Sequence, residues 1–180
     1  VPDSLLAAGN TRQIAEGLVA AGSKVDVTEL TIKLDTLFSN AAEFSVPVTD
    51  LAGFFARLHA RGFKLGIASS DNERSIRQTA QRFGFAQYVD YIAGYDSGFG
   101  SKPEAGMVLG FCKATGLAPA EIAVVGDNNH DLHMGHNANA GLKVAVLTGT
   151  GSRESLSAAS DYCLNDITEL EALLPGLQPA

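Results

Sequence analysis

Asp127 and Asp131 follow a short apolar stretch and are four residues apart. The stretch is Ile122–Val125, and Gly126 after it allows a sharp turn. An apolar run that stops at acidic residues is typical of a buried parallel strand whose carboxyl end faces a ligand. Carboxylate oxygens suit a hard cation such as Mg²⁺, so both aspartates are predicted metal ligands. The stretch alone equally favours a simpler interpretation, in which an aspartate caps the following helix.

A second group of residues could bind phosphate. Ser69 and Ser70 follow the apolar sequence KLGIA, and a hydroxyl beside the N–H groups of a helix start can bind an anion. Lys102 precedes Pro103, a residue favoured at the first position of a helix, and its ammonium could neutralise phosphate charge. In isolation, each feature has a simpler explanation: a helix N-cap for the serines and a solvated surface position for the lysine.

The residues after Thr49 alternate between helical and strand patterns. The predicted strands are 64–69, 88–93, 122–126, 143–147 and 162–164, and the predicted helices are 50–61, 72–83, 104–115, 132–140, 152–159 and 167–174. Such alternation is typical of an α/β fold, a parallel sheet with helices on both faces and the ligand at the carboxyl ends of the strands. Residues 1–45 carry only helical patterns, at 7–22 and 26–44. We therefore expect a helical segment at 1–45 and an α/β core at 46–180.

Composition narrows the class of protein. The 180 residues are 46% hydrophobic and 18% charged, which is ordinary for one globular domain with a small appendage. The net charge of −7, without a run of Lys or Arg, argues against nucleic acid or an anionic membrane as a partner. We find no membrane-length apolar run and no signal-peptide pattern. Cys112 and Cys163 lack a paired motif, which favours reduced core thiols in a cytoplasmic protein.

Together and in this order, the three polar stretches resemble motifs two, three and four of the haloacid dehalogenase (HAD) superfamily of phosphohydrolases. Ser69 matches the serine or threonine of motif two, and Lys102 in "SKP" matches the lysine of motif three. The sequence "VVGDNNHD" matches the acids of motif four. The resemblance runs from about Val46 to the C-terminus and looks like the phosphoglycolate-phosphatase and β-phosphoglucomutase branch. Residues 1–45 look like the later part of the helical cap of that branch.

The resemblance implies a role for each residue. Ser69, with Ser70 beside it, would hydrogen-bond the transferred phosphoryl group, and Lys102 would hold the nucleophile and the phosphoryl charge together. Asp127 would bind Mg²⁺ directly, and Asp131 would bind it through water or orient the metal shell. The implied activity is Mg²⁺-dependent hydrolysis of a small, phosphoglycolate-like phosphate monoester through an aspartyl-phosphate. Positioning and charge neutralisation would provide most of the catalysis.

The first motif of that family is an apolar strand ending in Asp-x-Asp, whose first aspartate attacks phosphorus, and no Asp-x-Asp occurs in this sequence. Asp26 lacks the second acid, and Asp50 stands where a helix is expected to begin. We therefore expect the segment with the first motif to lie outside these 180 residues; the rival explanation is an inactive relative. In the family this strand is central, so we expect an empty slot between the strands at 64–69 and 122–126.

Other functions stay open at this point. A β-phosphoglucomutase-like phosphomutase would carry the same motifs, and a phosphate- or metal-binding relative without a nucleophile is the non-enzyme alternative. A dehalogenase is disfavoured because it needs no metal site. The expected partner is a small phosphorylated metabolite. Cap residues choose the substrate in this superfamily, so the core motifs leave it open, and they leave the oligomeric state open as well.

Three histidines, His130, His133 and His136, are spaced by three beside the acids. They could form a metal site only if they converged on one ion. We favour a polar helix face near the mouth of a pocket. Asp96 and Ser97 are interpreted either as a border of that pocket or as part of an Asp-Ser-Gly turn.

Overall fold

The computed structural model describes residues 4–42 and 44–173. Its α-helices are α1 (Leu5–Ala8), α2 (Thr11–Ala20), α3 (Val27–Ala42), α4 (Leu51–Ala60), α5 (Glu73–Arg82), α6 (Gly106–Thr115), α7 (Asn129–Asn137), α8 (Arg153–Ser157) and α9 (Leu170–Leu173). Its strands are β1 (Gly66–Ala68), β2 (Tyr91–Ala93), β3 (Ala123–Gly126), β4 (Leu142–Val146) and β5 (Tyr162–Leu164). Short 3₁₀ turns span Ala86–Tyr88, Pro119–Glu121 and Ile167–Glu169.

The N-terminal part is helical, as predicted, but its first helix is interrupted. We predicted one helix over 7–22, and the structure has α1 and α2 on either side of Gly9 and Asn10. Asn10 ends the continuity because it caps α2: its side chain accepts from the N–H of Gln13, and the Gln13 side chain accepts from the N–H of Asn10. Such a capping box fixes a helix start more firmly than helix propensity alone.

The alternation of helix and strand after Thr49 is confirmed, with corrections at several ends. Asp50 caps α4 through the N–H of Gly53, as expected. Helix α6 begins at Gly106 instead of 104, so Pro103 is not its first residue. Helix α7 begins at Asn129 instead of 132 because the Asn128 side chain caps it. The last predicted helix is a 3₁₀ turn followed by α9, and its predicted end at 174 lies outside the described residues.

The strands form two separate parallel sheets. In one, β1 pairs with β2, with Ile67 opposite Ile92. In the other, the order is β3-β4-β5, with Val125 opposite Val144 and Ala145 opposite Cys163. Among the described residues, β1 and β3 have no strand on their other side. The expectation that these two strands are not neighbours is confirmed.

A cavity of about 790 Å³ lies between the two sheets, lined by both β1 and β3. We call it the strand slot. The carbonyl of Leu65 and the N–H of Ser69 bond to the β2 side. Since alternate residues of a strand direct their N–H and C=O to opposite sides, Gly66 and Ala68 direct theirs toward the slot.

The same alternation applies to β3. The carbonyl of Ile122 accepts from the N–H of Leu142 on the β4 side. Ala123 and Val125 therefore direct their backbone N–H and C=O groups toward the slot. Two strand edges, one from each sheet, thus face the same cavity.

Helices hold the two sheets together. Met107, Val108 and Cys112 of α6 pack in one buried cluster with Ala93 of β2 and Val124 of β3. A second cluster joins Phe54 and Leu58 of α4 to Val144 of β4. The sheets therefore share apolar layers even though their strands do not meet, and burial of such side chains is the main stabilising term of the fold.

Two further sequence features can be located. Cys112 and Cys163 are both free thiols, and burial raises the pKa of Cys112. Across residues 4–42 and 44–173, no helix is long and apolar enough to cross a membrane.

Candidate active site

The residues singled out at the strand ends surround one cavity of about 390 Å³. Ser69 and Ser70 follow β1, Lys102 lies in the loop before α6, and Asp127 and Asp131 lie at the junction of β3 and α7. All five line this cavity. Residues far apart in sequence therefore meet where the carboxyl ends of β1 and β3 point, as expected for an α/β fold.

Lys102 forms a largely buried ion pair. Its Nζ lies 2.5 Å from Oδ1 of Asp131, and the two side chains are only 12% and 11% exposed. The other oxygen of Asp131 accepts from the N–H of Asn128 at 3.2 Å. Because this hydrogen bond fixes Asp131, the carboxylate directs the Lys102 ammonium into the cavity. The sequence analysis did not predict this ion pair, because it gave Lys102 the role of holding the nucleophile and the phosphoryl charge together.

Asp127 is in an environment that disfavours its charge. Burial raises the pKa of its carboxyl group, the negative charge of Asp131 raises it further, and Lys102 partly offsets both. The loop after β4 covers it: the N–H of Gly151 donates to the carbonyl of Asp127 at 3.2 Å. A Cβ at Gly149 would overlap the Asp127 carboxylate, so this close approach needs glycine.

The donor set fits a hard divalent cation. Two carboxylates face a single ammonium at this end of the cavity, and a cation would supply the missing positive charge. Oxygen donors suit Mg²⁺ better than softer metals. Within the described part of the chain, no group of three or more His, Cys, Asp and Glu side chains could hold a metal. Asp127 and Asp131 are the candidate ligands at this end of the cavity, and Asp71 lines the same cavity from the loop after β1.

The Ser69 hydroxyl belongs to the loop after β1. Its Oγ accepts from the N–H of Asp71 at 3.1 Å and donates to Asp71 Oδ2 at 3.2 Å. It does not cap α5, which is capped by Asn72. Ser70 Oγ donates to the carbonyl of Ala8 at 3.4 Å, so this loop also contacts the N-terminal helices. The helix-cap interpretation of the two serines is therefore wrong.

Asn10 reaches the lysine loop and was not predicted as a site residue. It is 4% exposed, and its Nδ2 donates to Oγ of Ser101 at 2.8 Å, next to Lys102. Its capping pattern with Gln13 is readable in the sequence, but the contact with Ser101 spans 91 positions. No local pattern could have indicated it.

A second link between the N-terminal helices and the core centres on Asp35. One oxygen accepts from the Thr11 hydroxyl at 2.7 Å and the other accepts from the Tyr95 hydroxyl at 2.8 Å. Burial, together with this hydrogen bond to Asp35, raises the pKa of Tyr95 to about 12. The helical segment is thus tied to the core by two separate hydrogen-bonded links, one at Ser101 and one at Tyr95.

The three histidines do not converge. His133 and His136 are exposed on α7, whereas His130 is half-buried and lines the cavity. His130 Nδ1 is buried without a hydrogen-bond partner among the described residues. This arrangement agrees with a polar helix face at a pocket mouth.

Asp96 and Ser97 form a turn and do not line this cavity. Asp96 accepts from the N–H of Glu73, and the Ser97 hydroxyl donates to the Glu73 carboxylate. Ser97 Oγ also accepts from the N–H of Gly94. Their contacts are those of a turn that closes on the start of α5.

Comparison with known proteins places this chain in a family. The family model of haloacid dehalogenase-like hydrolases matches residues 11–147. Phosphoglycolate phosphatase of Psychrobacter arcticus is 29% identical over 119 residues, which cover 60% of this chain and 52% of that protein. Pyrophosphatase PpaX of Halalkalibacterium halodurans is 36% identical over 94 residues, which cover 50% of this chain and 41% of that protein. The chain thus spans about half the length of these curated relatives.

Solved structures agree with the architecture. A hydrolase from Pseudomonas syringae superposes with a TM-score of 0.80 at 16% identity, over 95% of this chain and 80% of that one. At such low identity the likeness shows a shared fold. It is consistent with the α/β arrangement described above.

Proposed function

The chain belongs to the haloacid dehalogenase-like hydrolase family, and on that premise we propose that it is the phosphate- and metal-binding part of a Mg²⁺-dependent phosphatase for small phosphate monoesters. The leading substrate class is phosphoglycolate-like. The observation that carries the proposal is the convergence of Ser69, Lys102, Asp127 and Asp131 on one cavity. A relative named phosphoglycolate phosphatase supports the choice of substrate class.

Lys102 would bind the phosphoryl oxygens. An ammonium has three N–H donors, and one of them is used by Asp131. The remaining donors can reach an anion in the cavity that both residues line. The ion pair fixes the position of Nζ in advance, so less ordering is needed when the substrate binds.

Ser69 and Ser70 would complete the phosphate site. Their loop lies between β1 and α5, where hydroxyl and backbone N–H groups are available to an anion. The Ser69 hydroxyl is held by Asp71, which orients it before any ligand arrives. The role of this loop would be to orient the phosphoryl group.

Asp127 and Asp131 would hold Mg²⁺. When bound, the ion would supply positive charge to the transferring phosphoryl group. The raised pKa of Asp127 has burial as its main cause, and a neighbouring cation would favour the charged carboxylate. Before the ion binds, the ion pair with Lys102 keeps the Asp131 carboxylate oriented.

The nucleophile is proposed to come from a residue outside these 180. No Asp-x-Asp occurs in the sequence, and no described aspartate other than Asp71, Asp127 and Asp131 lines the cavity. Residues 1–45 are proposed as part of a cap on a core at 46–180. The contacts of Asn10 with Ser101 and of Asp35 with Tyr95 support a cap that packs directly on the core.

The direct test is an activity assay on the protein expressed from its whole gene. We expect Mg²⁺-dependent release of phosphate from phosphoglycolate, with loss of nearly all turnover in Lys102→Met and in Asp127→Asn. Lys33→Met is the matched control, because Lys33 lies on the surface of α3. Pyrophosphate is tested in parallel, since one relative is named a pyrophosphatase. Turnover by either site variant equal to wild type would refute the proposed roles.

Metal binding is measured separately by calorimetry. Asp127→Asn should weaken Mg²⁺ binding strongly, because it removes an ionic oxygen ligand. Asp96→Asn is the control, because Asp96 lies in the turn at the start of α5. Unchanged Mg²⁺ affinity in Asp127→Asn would refute the metal assignment.

A further inference from the structure

We propose that Asn10 is a positioning residue for Lys102. It holds Ser101, the residue before Lys102, and so makes the placement of the ammonium depend on how the N-terminal helices dock on the core. Asn10 is not itself a catalytic residue, because it is 4% exposed and does not line the cavity of about 390 Å³. The inference rests on the role proposed above for Lys102, so its test includes a readout that needs no turnover.

The amide of Asn10 is oriented by its own helix. Its Oδ1 accepts from the N–H of Gln13 at 2.9 Å, as the N-cap of α2. Because an amide carries its oxygen and its NH₂ group on opposite sides, this bond turns Nδ2 away from α2. Nδ2 then donates to Oγ of Ser101 at 2.8 Å. A donor oriented in advance loses little freedom when it forms such a long-range bond.

The loop that carries Lys102 is held from two sides. Helix α7 holds it from the core: Asp131 pairs with Nζ of Lys102, and Nδ2 of Asn137 donates to the carbonyl of Pro103 at 2.9 Å. Neither of these bonds holds the residue before Lys102. The amide of Asn10 holds that residue, and it belongs to the N-terminal helices. The backbone on either side of the lysine is thus fixed by a different part of the molecule.

A ligand in the cavity contacts both partners of this link. Lys102 lines the cavity, and so do three close neighbours of Asn10, namely Ala8, Gly9 and Thr11. A leaving group that fits leaves the hydrogen bond in place, whereas one that pushes the N-terminal helices outward breaks it. Small displacements of a catalytic group strongly lower the rate of the chemical step. Asn10 therefore makes that rate depend on how well the leaving group fits.

The second link between the N-terminal helices and the core provides an internal comparison. Asp35 accepts from the hydroxyls of Thr11 and Tyr95, and these side chains bond to one another and not to Ser101 or Lys102. Loosening this link weakens docking of the helices and removes nothing from the lysine loop. A comparison of the two links therefore separates docking from positioning.

The first test measures steady-state kinetics on phosphoglycolate with Mg²⁺, using the protein expressed from its whole gene. Asn10→Ser keeps a good N-cap, but the shorter side chain does not reach Ser101. Its kcat should fall about threefold to tenfold, as expected for one lost hydrogen bond, with KM unchanged. An increase in KM with kcat unchanged would show that Asn10 only docks the helices, and would overturn the proposal.

Two control variants accompany this measurement. Tyr95→Phe loosens the Asp35 link, so KM should rise while kcat stays unchanged, because binding common to the ground state and the transition state is lost. Asp50→Ser exchanges the N-cap of α4, which lies outside the cavity, and should leave both constants unchanged. A kcat that falls equally in Asn10→Ser and Tyr95→Phe would refute a specific role of Asn10.

Variants of Ser101 test the same hydrogen bond from the core side. Ser101→Ala should lower kcat by the same factor as Asn10→Ser, and the double variant should lose no more than either single variant. Ser101→Thr keeps the hydroxyl and should act as wild type does. Losses that multiply in the double variant would contradict the proposal. If Asn10→Ser does not fold, the pair Ser101→Ala and Ser101→Thr decides, since only the alanine removes the bond.

The second test is an NMR measurement that needs no catalysis. In protein labelled with [¹⁵N]lysine, the Lys102 amide signal is identified by its absence in Lys102→Met. Asn10→Ser should shift or broaden this signal, whereas Tyr95→Phe should leave it unchanged. An unmoved signal in Asn10→Ser refutes the positioning role, whether or not the wild type hydrolyses phosphoglycolate. A shifted signal in a protein without turnover would refute the proposed phosphatase and would support the link from Asn10 to Lys102.

Discussion

The two ends of the gap between β1 and β3 differ sharply. At the carboxyl ends of the strands, polar groups are paired: Lys102 with Asp131, Asp131 with the N–H of Asn128, and Ser69 with Asp71. Further along the same gap, the backbone groups of Gly66, Ala68, Ala123 and Val125 face the strand slot. The polar cluster is thus formed by loops and helix starts, and it does not require a continuous sheet beneath it.

The difference teaches which interactions join the two sheets. Lys102 precedes α6, which packs on β1 and β2, whereas Asp131 belongs to α7, which packs on β3. Their ion pair therefore bridges the two sheets at one end of the slot. Apolar contacts of α6 with Ile122 and Val124 join them on one face. Side-chain contacts therefore join the two sheets here, whereas backbone hydrogen bonds join neighbouring strands elsewhere in the fold.

The largest effect is expected from the slot. Purified alone, the 180-residue chain should show no phosphoglycolate turnover with Mg²⁺ and should self-associate as concentration rises, because unpaired strand edges promote aggregation. Each backbone group left buried without a partner costs about 1–3 kcal/mol, against a typical net stability of roughly 5–15 kcal/mol. Turnover assays and light scattering check this. A cooperative thermal transition of the isolated chain with zero turnover would favour the inactive relative instead.

The next effect concerns the ion pair that bridges the sheets. Lys102→Met should lower the free energy of unfolding by about 3–5 kcal/mol, because it leaves a buried carboxylate without its cation. Adding Asp131→Asn should recover much of the loss. Lys33→Met breaks an exposed pair with Glu29 and should cost under about 1 kcal/mol. Urea denaturation measures all three, and similar losses for Lys102→Met and Lys33→Met would show that the bridging pair is not special.

A smaller effect is expected at the turn that brings β3 into the polar cluster. A Cβ at Gly126 would overlap the side chain of Asp131, so Gly126→Ala should cost about 1–3 kcal/mol through overpacking. In Gly135→Ala the nearest atom is Val124 Cβ at 3.0 Å, and the helix gains about 1 kcal/mol from alanine. We expect that control to be near neutral. Equal stability of the two variants would mean that Asp131 is free to move away from Gly126.

The smallest effect concerns Asp127 and pH. Its pKa is raised in the folded state, mainly by burial, so the folded protein holds this proton more tightly than the unfolded chain does. Its contribution to stability is therefore fully present below the unfolded pKa of about 3.9 and is lost as pH rises through the folded value. An asparagine at this position does not ionise, so Asp127→Asn avoids this loss of stability at high pH. Without Mg²⁺, the variant should therefore be more stable than wild type at pH 7 but not at pH 3. Thermal melts at both pH values test this, and a variant less stable at pH 7 would contradict it.

Much of the fold could be predicted because its signals are local. Short, mostly apolar stretches separated by helical patterns predicted all five strands and their parallel arrangement, since such stretches are typical of strands buried on both faces. The helix break at Asn10 and the start of α7 at Asn128 were missed, although both residues are good N-caps. Competing apolar patterns on either side outweighed these single-residue signals.

Sequence by itself determined the residue types at the strand ends, Ser69, Lys102, Asp127 and Asp131, because the motif that each belongs to spans only a few positions. It also determined that no Asp-x-Asp occurs in these 180 residues. Only the tertiary structure decided that Lys102 pairs with Asp131 and that Asn10 reaches Ser101. These contacts join residues 29 and 91 positions apart. They depend on how the helices pack, and packing is a property of the whole chain that no local pattern encodes.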